Sequence, residues 1–327
     1  MHQVVTSSLR IAFFDVRFNL ATMKQSLLLI AFFPTWLFAQ QDPQFTFNND
    51  FNSWVSPSLM VNEYRLNITA QHRQQWVGFE GRPITTLVNA SYRVDKAWSA
   101  FGVSVLWDKL GAQNSGSANI NYAFDGKIGE HHIVPGIQMG LLYNVLDGSQ
   151  LDPIQENDPN IINSKSSGLA FDLGMSLAYR FRGLAVSFSA KHLTAPKVKF
   201  EQGATLSEYS VARHYYGLIA YEGRWGKFRF KPISFVKTDG ASTQFDQFIW
   251  LGACNLNKYF DGVIAGIGYR IDDAVMFGLE FSLKWFDRGS SYDLITSVLN
   301  NYSSGSHEIY LRLHMFKNPE PVAVGVD

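Results

Sequence analysis

The chain alternates apolar and polar residues with a period of two along much of its length. From Tyr64 to Gln71 the even positions are apolar or aromatic and the odd positions are polar, and residues 84–93 largely repeat the pattern. Such alternation is typical of a strand with one apolar face. Residues 73–83, which lie between, contain Gly and Pro and follow no strand period. The stretch predicts two antiparallel strands joined by an elaborate loop.

Similar runs of about ten residues follow, with Gly, Asn and Asp between them. They are residues 98–107, 116–124, 131–143, 169–180, 184–191, 214–222, 227–237, 244–254, 262–270, 274–284 and 307–316. With the first two they make thirteen predicted strands. A tilted strand needs about 9 to 11 residues to cross the hydrocarbon layer of a membrane. Most of these runs are therefore long enough to span a bilayer.

The connections between the runs bear on the strand number. Single-chain bacterial barrels have an even number of strands, short turns at one end and long loops at the other. Long and short connections alternate here up to residue 226, but 271–273 is short where a loop is due and 285–306 is long where a turn is due. We therefore predict a further strand at 292–299, which gives fourteen strands, with twelve as the alternative.

Charged residues avoid the apolar phase of the predicted strands, in which only Glu222 lies, at a strand end. The opposite phase holds Arg65, Arg93, Asp172, Arg180, Lys191, Arg229, Lys231, Lys237, Asp246, Arg270, Glu280, Lys284, Glu308 and Arg312. A Lys or Arg that faces lipid at mid-depth costs about 2 to 4 kcal/mol. The pattern favours an outward face in contact with lipid, although a soluble exported β-protein would show part of the same contrast.

Aromatic residues near the predicted strand ends favour the membrane alternative, because aromatic rings prefer the headgroup level. They are Trp98, Trp107, Tyr143, Trp225 and Trp285. After residue 40 no stretch of 18 or more apolar residues offers a membrane-spanning helix. The predicted fold class is all-β, a transmembrane antiparallel outer-membrane β-barrel.

The N-terminal region has the parts of a secretory signal. Residues 23–39 carry a positive residue, an apolar run and a small residue before a polar stretch. We interpret 1–22 as an over-extended start, 23–39 as a signal peptide and 40–63 as a tether or an inward plug. The barrel is predicted at 64–316 and a polar tail at 317–327.

Composition adds few candidates for chemistry. The net charge is zero and no basic cluster is present, which argues against nucleic acid as a partner. The single cysteine, Cys254, allows no internal disulfide, and adjacent histidines such as His131 and His132 point to opposite faces of a strand, so they cannot chelate one metal ion. We predict no enzyme activity, no cofactor and no metal site.

Several motifs resemble those of the PorP/SprF family of type IX secretion system membrane proteins. They lie at residues 41–45, 73–83, 108–111, 121–123 and 301–309. The motif residues that we select as candidate site residues are Arg73, Gln75, Trp76, Gly78, Gly81, Pro83, Asp108, Gly111, Ser306, His307 and Glu308. The resemblance implies an outer-membrane β-barrel, embedded in lipid, that works with other secretion-system components. It also implies partners among secreted proteins with a type IX sorting domain, such as gliding adhesins.

The sequence departs from the family pattern at residues 56–62, near 271–286 and in the tail. On this reading the loops 144–168 and 192–213 face outward and form the partner surface. The loop 73–83, with Trp76 as anchor and Arg73, Glu80 and Arg82 as charged contacts, either meets the partner or packs on its own barrel. A porin or solute channel is the alternative function, since the predicted inner face is charged.

Overall fold

A computed structural model gives the fold of the chain. It describes residues 42–48, 52–151, 164–202, 205–257 and 260–317, so the predicted start, the signal peptide and almost all of the tail lie outside the described residues. Among the residues that it does describe, no helix is long and apolar enough to cross a membrane.

The described residues form a closed antiparallel barrel of fourteen strands. The strands, numbered here in chain order, are β1 Tyr64–Gln74, β2 Ile84–Val94, β3 Ser99–Leu110, β4 Gln113–Phe124, β5 His131–Asp147, β6 Lys165–Phe181, β7 Leu184–Lys191, β8 His214–Tyr221, β9 Phe228–Thr238, β10 Thr243–Ala253, β11 Phe260–Arg270, β12 Ala274–Leu283, β13 Phe286–Ile295 and β14 Ser306–Lys317. Each pairs with its neighbours in sequence, and β1 closes the barrel against β14, for example with Ala70 opposite Leu311.

Closure satisfies the backbone at membrane depth. Inside a bilayer no water can bond to exposed N–H and C=O groups, so a β-structure can span it only without free edges. Two short strands, Gly126–Ile128 and Gly223–Trp225, pair with the first residues of β5 and β9 at one end. A separate hairpin, Lys197–Gln202 with Thr205–Ser210, lies in the connection between β7 and β8.

The predicted fold class and the number of fourteen strands are confirmed, but the position of the missed strand differs. The structure places β13 at Phe286–Ile295, earlier than the predicted 292–299. The long connection 285–306 thereby divides into the turn 284–285 and the loop 296–305. The connection 271–273 remains short although it lies at the long-loop end.

Connections gather by length at the two ends. One end, here called the long-loop end, carries 75–83, 148–164, 192–213 and 296–305, together with three short connections. The other, the short-turn end, carries 95–98, 125–130, 182–183 and the remaining turns. The predicted long connection at 108–115 is wrong, because β3 and β4 extend until only 111–112 joins them.

The two faces of the wall differ as the alternation predicts. Large apolar side chains such as Ile120 and Phe188 are more than half exposed on the outside, and all five aromatic residues predicted near strand ends are exposed there. Most predicted inward charges are buried, including Asp172, Lys237 and Arg270. Lys284 is instead exposed in a turn, and Arg288 faces outward near the short-turn end, where a charge costs less than at mid-depth.

Glu222 does not lie on the apolar face as its phase predicts. It follows β8 and turns toward Arg229, whose Nη2 lies 2.9 Å from Glu222 Oε2, and toward Arg224. Burial alone would raise the pKa of Glu222, but these charges outweigh it and lower the pKa to about 2.

The residues that precede β1 lie inside the barrel. We call residues 42–48 and 52–62 the luminal segment. Phe45, Phe47 and Trp54 are fully buried in one cluster with wall residues such as Trp250 and Tyr310. The described part of residues 40–63 therefore lies inside the barrel, and its role as a tether or a plug stays a prediction.

Small wall residues make room for the luminal segment. A 3-10 turn at Pro57–Met60 passes so close to the wall that a Cβ added to Gly136 would lie 2.8 Å from the Ser58 backbone nitrogen. Ser58 N–H also donates to Ser176 Oγ at 3.0 Å, and Ser189 Oγ donates to the Val55 carbonyl at 2.7 Å. The residues 56–62 that depart from the family pattern are thus packed inside the barrel.

The orientation of the wall can be tested with one charge. Ile120 pairs with Met139, the central residue of β5, so it lies midway between the two ends of the barrel. Its side chain is 59% exposed. We expect Ile120→Arg to lower the free energy of unfolding by about 2 to 4 kcal/mol, because the guanidinium would face hydrocarbon. The measurement is reversible denaturant unfolding in lipid vesicles.

The matched control is Ile128→Arg, since Ile128 is 70% exposed at the short-turn end, where the cost falls to about 0 to 1 kcal/mol. Equal effects of the two substitutions would contradict the lipid-facing assignment.

Candidate functional site

Arg73 joins the luminal segment to the wall near the long-loop end. It follows the predicted strand 64–71 but belongs to β1 and points inward, with 1% of its side chain exposed. Its Nη2 lies 2.7 Å from Asp293 Oδ2, and its Nη1 lies 3.2 Å from Glu308 Oε2. Nη1 also donates to Thr46 Oγ1 at 2.8 Å. One guanidinium therefore contacts β13, β14 and the luminal segment.

Glu308 completes the link through the backbone. Its two carboxylate oxygens accept hydrogen bonds from the backbone N–H groups of Thr46 and Phe47, at 2.6 and 3.1 Å. On the other side of Phe47, Gln71 Nε2 donates to its carbonyl at 3.2 Å. These bonds satisfy a stretch of main chain that has left the water, as buried backbone requires.

A second arginine extends the buried charges around the wall. Arg270 Nη1 lies 2.9 Å from Asp293 Oδ2, and Arg270 Nε lies 3.1 Å from Asp246 Oδ1. Asp293 thus accepts from two guanidinium groups and also from Thr46 Oγ1. We call Thr46, Arg73, Arg270, Asp293 and Glu308 the clamp. Each of its charged members has a partner of opposite sign, which buried charges need.

The motif loop 75–83 packs on the loop that precedes β14. Val77 N–H donates to the Gly305 carbonyl at 2.8 Å, and Ser304 N–H donates back to the Val77 carbonyl at 2.7 Å. Trp76 N–H donates to Ser306 Oγ at 3.1 Å. Trp76 has φ of 54°, in the left-handed region that non-glycine residues rarely occupy. The two motif regions at 73–83 and 301–309 therefore form one structure.

Glycines allow the same loop to touch the next connection. Gly111 N–H donates to the Gly81 carbonyl at 2.9 Å, and a Cβ on Gly81 would lie 3.3 Å from Gly111 Cα. Both glycines have positive φ. Asp108, near the end of β3, accepts from Thr85 Oγ1 at 2.5 Å. The motif residue Pro83 accepts from Gln75 N–H at 3.0 Å.

The structure thus brings most of the predicted site residues to one side of the long-loop end. Arg73 and Glu308 are both buried. Arg73 is therefore not the exposed charged contact that the sequence predicts. Glu80 is exposed on the loop, Gly78 stands beside Ser304, and His307 faces outward beside Tyr292. The loop 75–83 packs on its own barrel, and its contact with a partner stays a prediction.

A second anchor holds the start of the luminal segment, across the lumen from the clamp. Asp42 Oδ1 lies 3.0 Å from His192 Nε2, and Asp42 Oδ2 lies 3.3 Å from Lys191 Nζ and accepts from the Tyr216 hydroxyl. His192 Nδ1 in turn lies 2.8 Å from Asp172 Oδ2. Lys237 Nζ donates to the Asp42 carbonyl at 2.8 Å.

Charge pairing governs ionisation at this second anchor. Burial by itself would raise the pKa of Asp42, but the positive charges of Lys191 and His192 hold this pKa well below its usual range. Burial likewise opposes protonation of His192, yet Asp42 and Asp172 raise its pKa to about 9. The His192 ring lies between two carboxylates and bridges them.

The hairpin between β7 and β8 covers the adjacent wall. Val198 and Phe200 are buried against the inward-facing Leu142, together with Val211. Between this hairpin, Asp42 and the wall lies a cavity of about 130 Å³. A larger cavity of about 490 Å³ opens at the short-turn end, lined by charged residues such as Arg229 and Asp287.

Sequence reasoning missed the partners that make these anchors. Asp293 lay in a strand that was not recognised in full, and Thr46 lay in a segment without a period. Asp42 was noticed only as part of a motif. The inward phase of Asp172, Lys191 and Lys237 was the available signal, and it places a residue on a face without naming its partner.

Comparisons with known proteins add the following. A family model described as type IX secretion system membrane protein PorP/SprF matches residues 37–313. No curated protein sequence matches the chain significantly. Among solved structures, the CymD monoaromatic hydrocarbon channel has a TM-score of 0.47 at 10% identity, covering 84% of this chain and 94% of that one. The Ralstonia pickettii toluene transporter TbuX has a TM-score of 0.43 at 9% identity, covering 80% and 92%. The translocator domain of the autotransporter NalP from Neisseria meningitidis has a TM-score of 0.41 at 10% identity, covering 80% and 93%.

The clamp makes a prediction about stability. Glu308→Ala leaves Arg73 with fewer partners and removes the acceptor of two backbone N–H groups. Breaking a buried ion pair costs about 3 to 5 kcal/mol, so we expect the free energy of unfolding in detergent to fall by about that amount. Glu80→Ala is the matched control, since Glu80 lies exposed on the loop beside the clamp. An unchanged stability of the Glu308 variant would show that the clamp does not hold the segment.

Proposed function

Because the chain belongs to the PorP/SprF family of type IX secretion system membrane proteins, we propose that it supports the secretion and surface anchoring of large proteins, such as gliding adhesins. In this proposal the barrel is a non-enzymatic component of the outer membrane that holds or guides a secreted partner carrying a type IX sorting domain. Other components of the secretion system are its further partners.

The observation that carries the proposal is the occupied lumen. The luminal segment fills the centre of the barrel with Phe45, Phe47 and Trp54, and both of its anchors are buried. A steady pore for solutes needs a path for water along the axis, whereas the inward charges here pair with one another and with the segment. This supports a closed barrel with a surface role over the alternative, a porin or solute channel.

The distribution of loops supports the side on which the partner binds. Long loops of bacterial barrels face the outside, and the hairpin Lys197–Gln202 with Thr205–Ser210 stands at the long-loop end. The predicted partner surface, 144–168 and 192–213, lies at this end in its described part. Export to the outer membrane through the signal peptide at 23–39 is part of the proposal, as the barrel and the family require passage across the inner membrane.

Conductance separates the two functions. In planar bilayers we expect the unmodified protein to show no steady open pore, because the luminal segment blocks the axis. The double variant Arg73→Ala with Glu308→Ala releases Thr46 and Phe47 from the wall, so we expect it to open intermittently. Single-channel recording at moderate salt makes the measurement.

Glu80→Ala serves as the control here too and is expected to stay closed. A steady pore in the unmodified protein would favour the channel alternative and contradict the closed barrel. Heat-modifiable migration on gels confirms that each variant is folded before it is recorded.

The surface role is tested on cells by replacing residues 197–210 with a short Gly-Ser linker. We expect large surface proteins to be lost from the cell surface and to appear in the medium, while the barrel remains in the outer membrane. Proteomic cataloguing of the surface fraction, with a gene deletion for comparison, identifies which proteins depend on the loop.

The matched control inserts the same linker into the turn 239–242, which lies at the same end of the barrel. Retention of every surface protein after removal of the hairpin would contradict the proposed partner surface. The same outcome after deletion of the gene would contradict the secretion role altogether.

A further inference from the structure

Three side chains with metal-binding atoms converge at the long-loop end. One ligand atom each from Asp42, His192 and His214 lies within 4.8 Å of the others. The residues come from three elements: the luminal segment, the residue after β7 and the first residue of β8. His192 and His214 meet nearly edge to face, with ring centroids 5.6 Å apart and an angle of 84°. Two imidazoles and a carboxylate are a common ligand set for zinc.

The outer nitrogens of both rings are already held. His192 Nδ1 lies 2.8 Å from Asp172 Oδ2, and His214 Nδ1 donates to the Ala212 carbonyl at 3.0 Å. Histidines that ligate metals almost always donate their other N–H to a carboxylate or a backbone carbonyl, which fixes the tautomer and the ring orientation. Both Nε2 atoms are thereby directed at Asp42. His192 Nε2 lies 3.0 Å from Asp42 Oδ1, and His214 Nε2 accepts from the Asp42 backbone N–H at 3.0 Å.

The two oxygens of Asp42 have different surroundings. Oδ2 is used by Lys191 Nζ at 3.3 Å and by the Tyr216 hydroxyl. Oδ1 faces only His192 Nε2 among the contacts of the described residues. Asp42 can therefore offer Oδ1 to an ion while Oδ2 stays bonded to the wall.

The backbone gives a further sign of a specialised position. His192 has φ of 55°, in the left-handed region, and this conformation turns its ring toward Asp42 and Asp172. Residues held in such sparsely populated conformations cluster at functional sites. A cavity of about 130 Å³ is lined by Asp42, Asp172 and His192, so two of the three proposed ligands border an open space.

We propose that Asp42 Oδ1, His192 Nε2 and His214 Nε2 form a binding site for a divalent transition metal ion of the zinc class, with water as the remaining ligand. The ion would connect the start of the luminal segment to β7 and β8. When the ion binds, the proton between His192 Nε2 and Asp42 Oδ1 is released to solvent. The hydrogen bond from the Asp42 N–H to His214 Nε2 is broken. The site does not depend on the secretion role.

An arrangement of ion pairs alone is the competing explanation, and Lys191 distinguishes the two. Its ammonium lies 3.3 Å from Asp42 and 3.2 Å from the centre of the Trp54 ring. If the cluster only holds charges together, Lys191 is an essential partner. If the cluster binds a cation, Lys191 competes with that cation by repulsion, so Lys191→Met raises the affinity for the metal.

The test uses the full mature chain in detergent, stripped of metal with a chelator. We expect one Zn²⁺ per chain by calorimetric titration and elemental analysis, and Co²⁺ in its place should give the visible absorption of a four-coordinate ion. His214→Ala should abolish this absorption. Asp172→Asn should weaken Zn²⁺ binding about 10- to 100-fold, the usual effect of losing a partner of a ligating histidine.

The matched control is His131→Asn, because His131 is exposed on the outer surface beside Tyr179. Its affinity should equal that of the unmodified protein. The Co²⁺ spectrum of the unmodified protein needs no variant to fold, and its absence would overturn the proposal. Binding that is equal in the His214 and His131 variants, or weaker in Lys191→Met, would overturn it as well.

Discussion

The pairing of buried charges between the wall and the chain's own N-terminal residues is the interaction on which the rest of this structure depends. Arg73, Asp293 and Glu308 are each about 1% exposed, and none could remain ionised there alone. Together with the N–H groups of Thr46 and Phe47 they satisfy one another. The wall charges are therefore stabilised by the luminal segment, and the backbone of the segment is satisfied by the wall. The two form one core.

Alternation along the chain predicted the strands, because a wall with lipid outside and paired charges inside imposes the period of two on most of them. The prediction of a lipid-facing barrel also needed the placement of charges, the export signal, the strand lengths and the aromatic residues near strand ends. Alternation failed at β13. The outward residues of this strand include Arg288 and Ser290, and its inward residues include Gly289 and Asp293. Neither face is clearly apolar, so the period of two does not reveal this strand. The count of fourteen was reached through the even-number rule and not through the residues of β13.

The candidate site was less accessible to sequence reasoning than the fold. Trp76 and Ser306 belong to separate motifs of one resemblance, and nothing in the sequence predicts that they meet. Their hydrogen bond joins positions 230 residues apart. The alternation predicts a strand that ends at Gln71 and places Arg73 in the loop, although β1 continues to Gln74. Pairing partners such as Asp293 and Asp42 depend on which strands face each other across the lumen, and the period of a strand carries no such information.

The two anchors lie on different sides of the lumen and have different chemistry. The clamp is built from arginine and carboxylates, whose planar groups make several fixed bonds at once. The anchor at Asp42 uses histidines and lysines, whose charge and hydrogen bonding change more readily. The clamp is thus suited to permanent attachment of the segment, and the Asp42 anchor is the part through which an ion could strengthen the closure. Other inward charges, such as Arg93 with Asp125 and Arg312 with Asp287, pair within the wall itself, so attachment of the segment uses only part of the charged inner face.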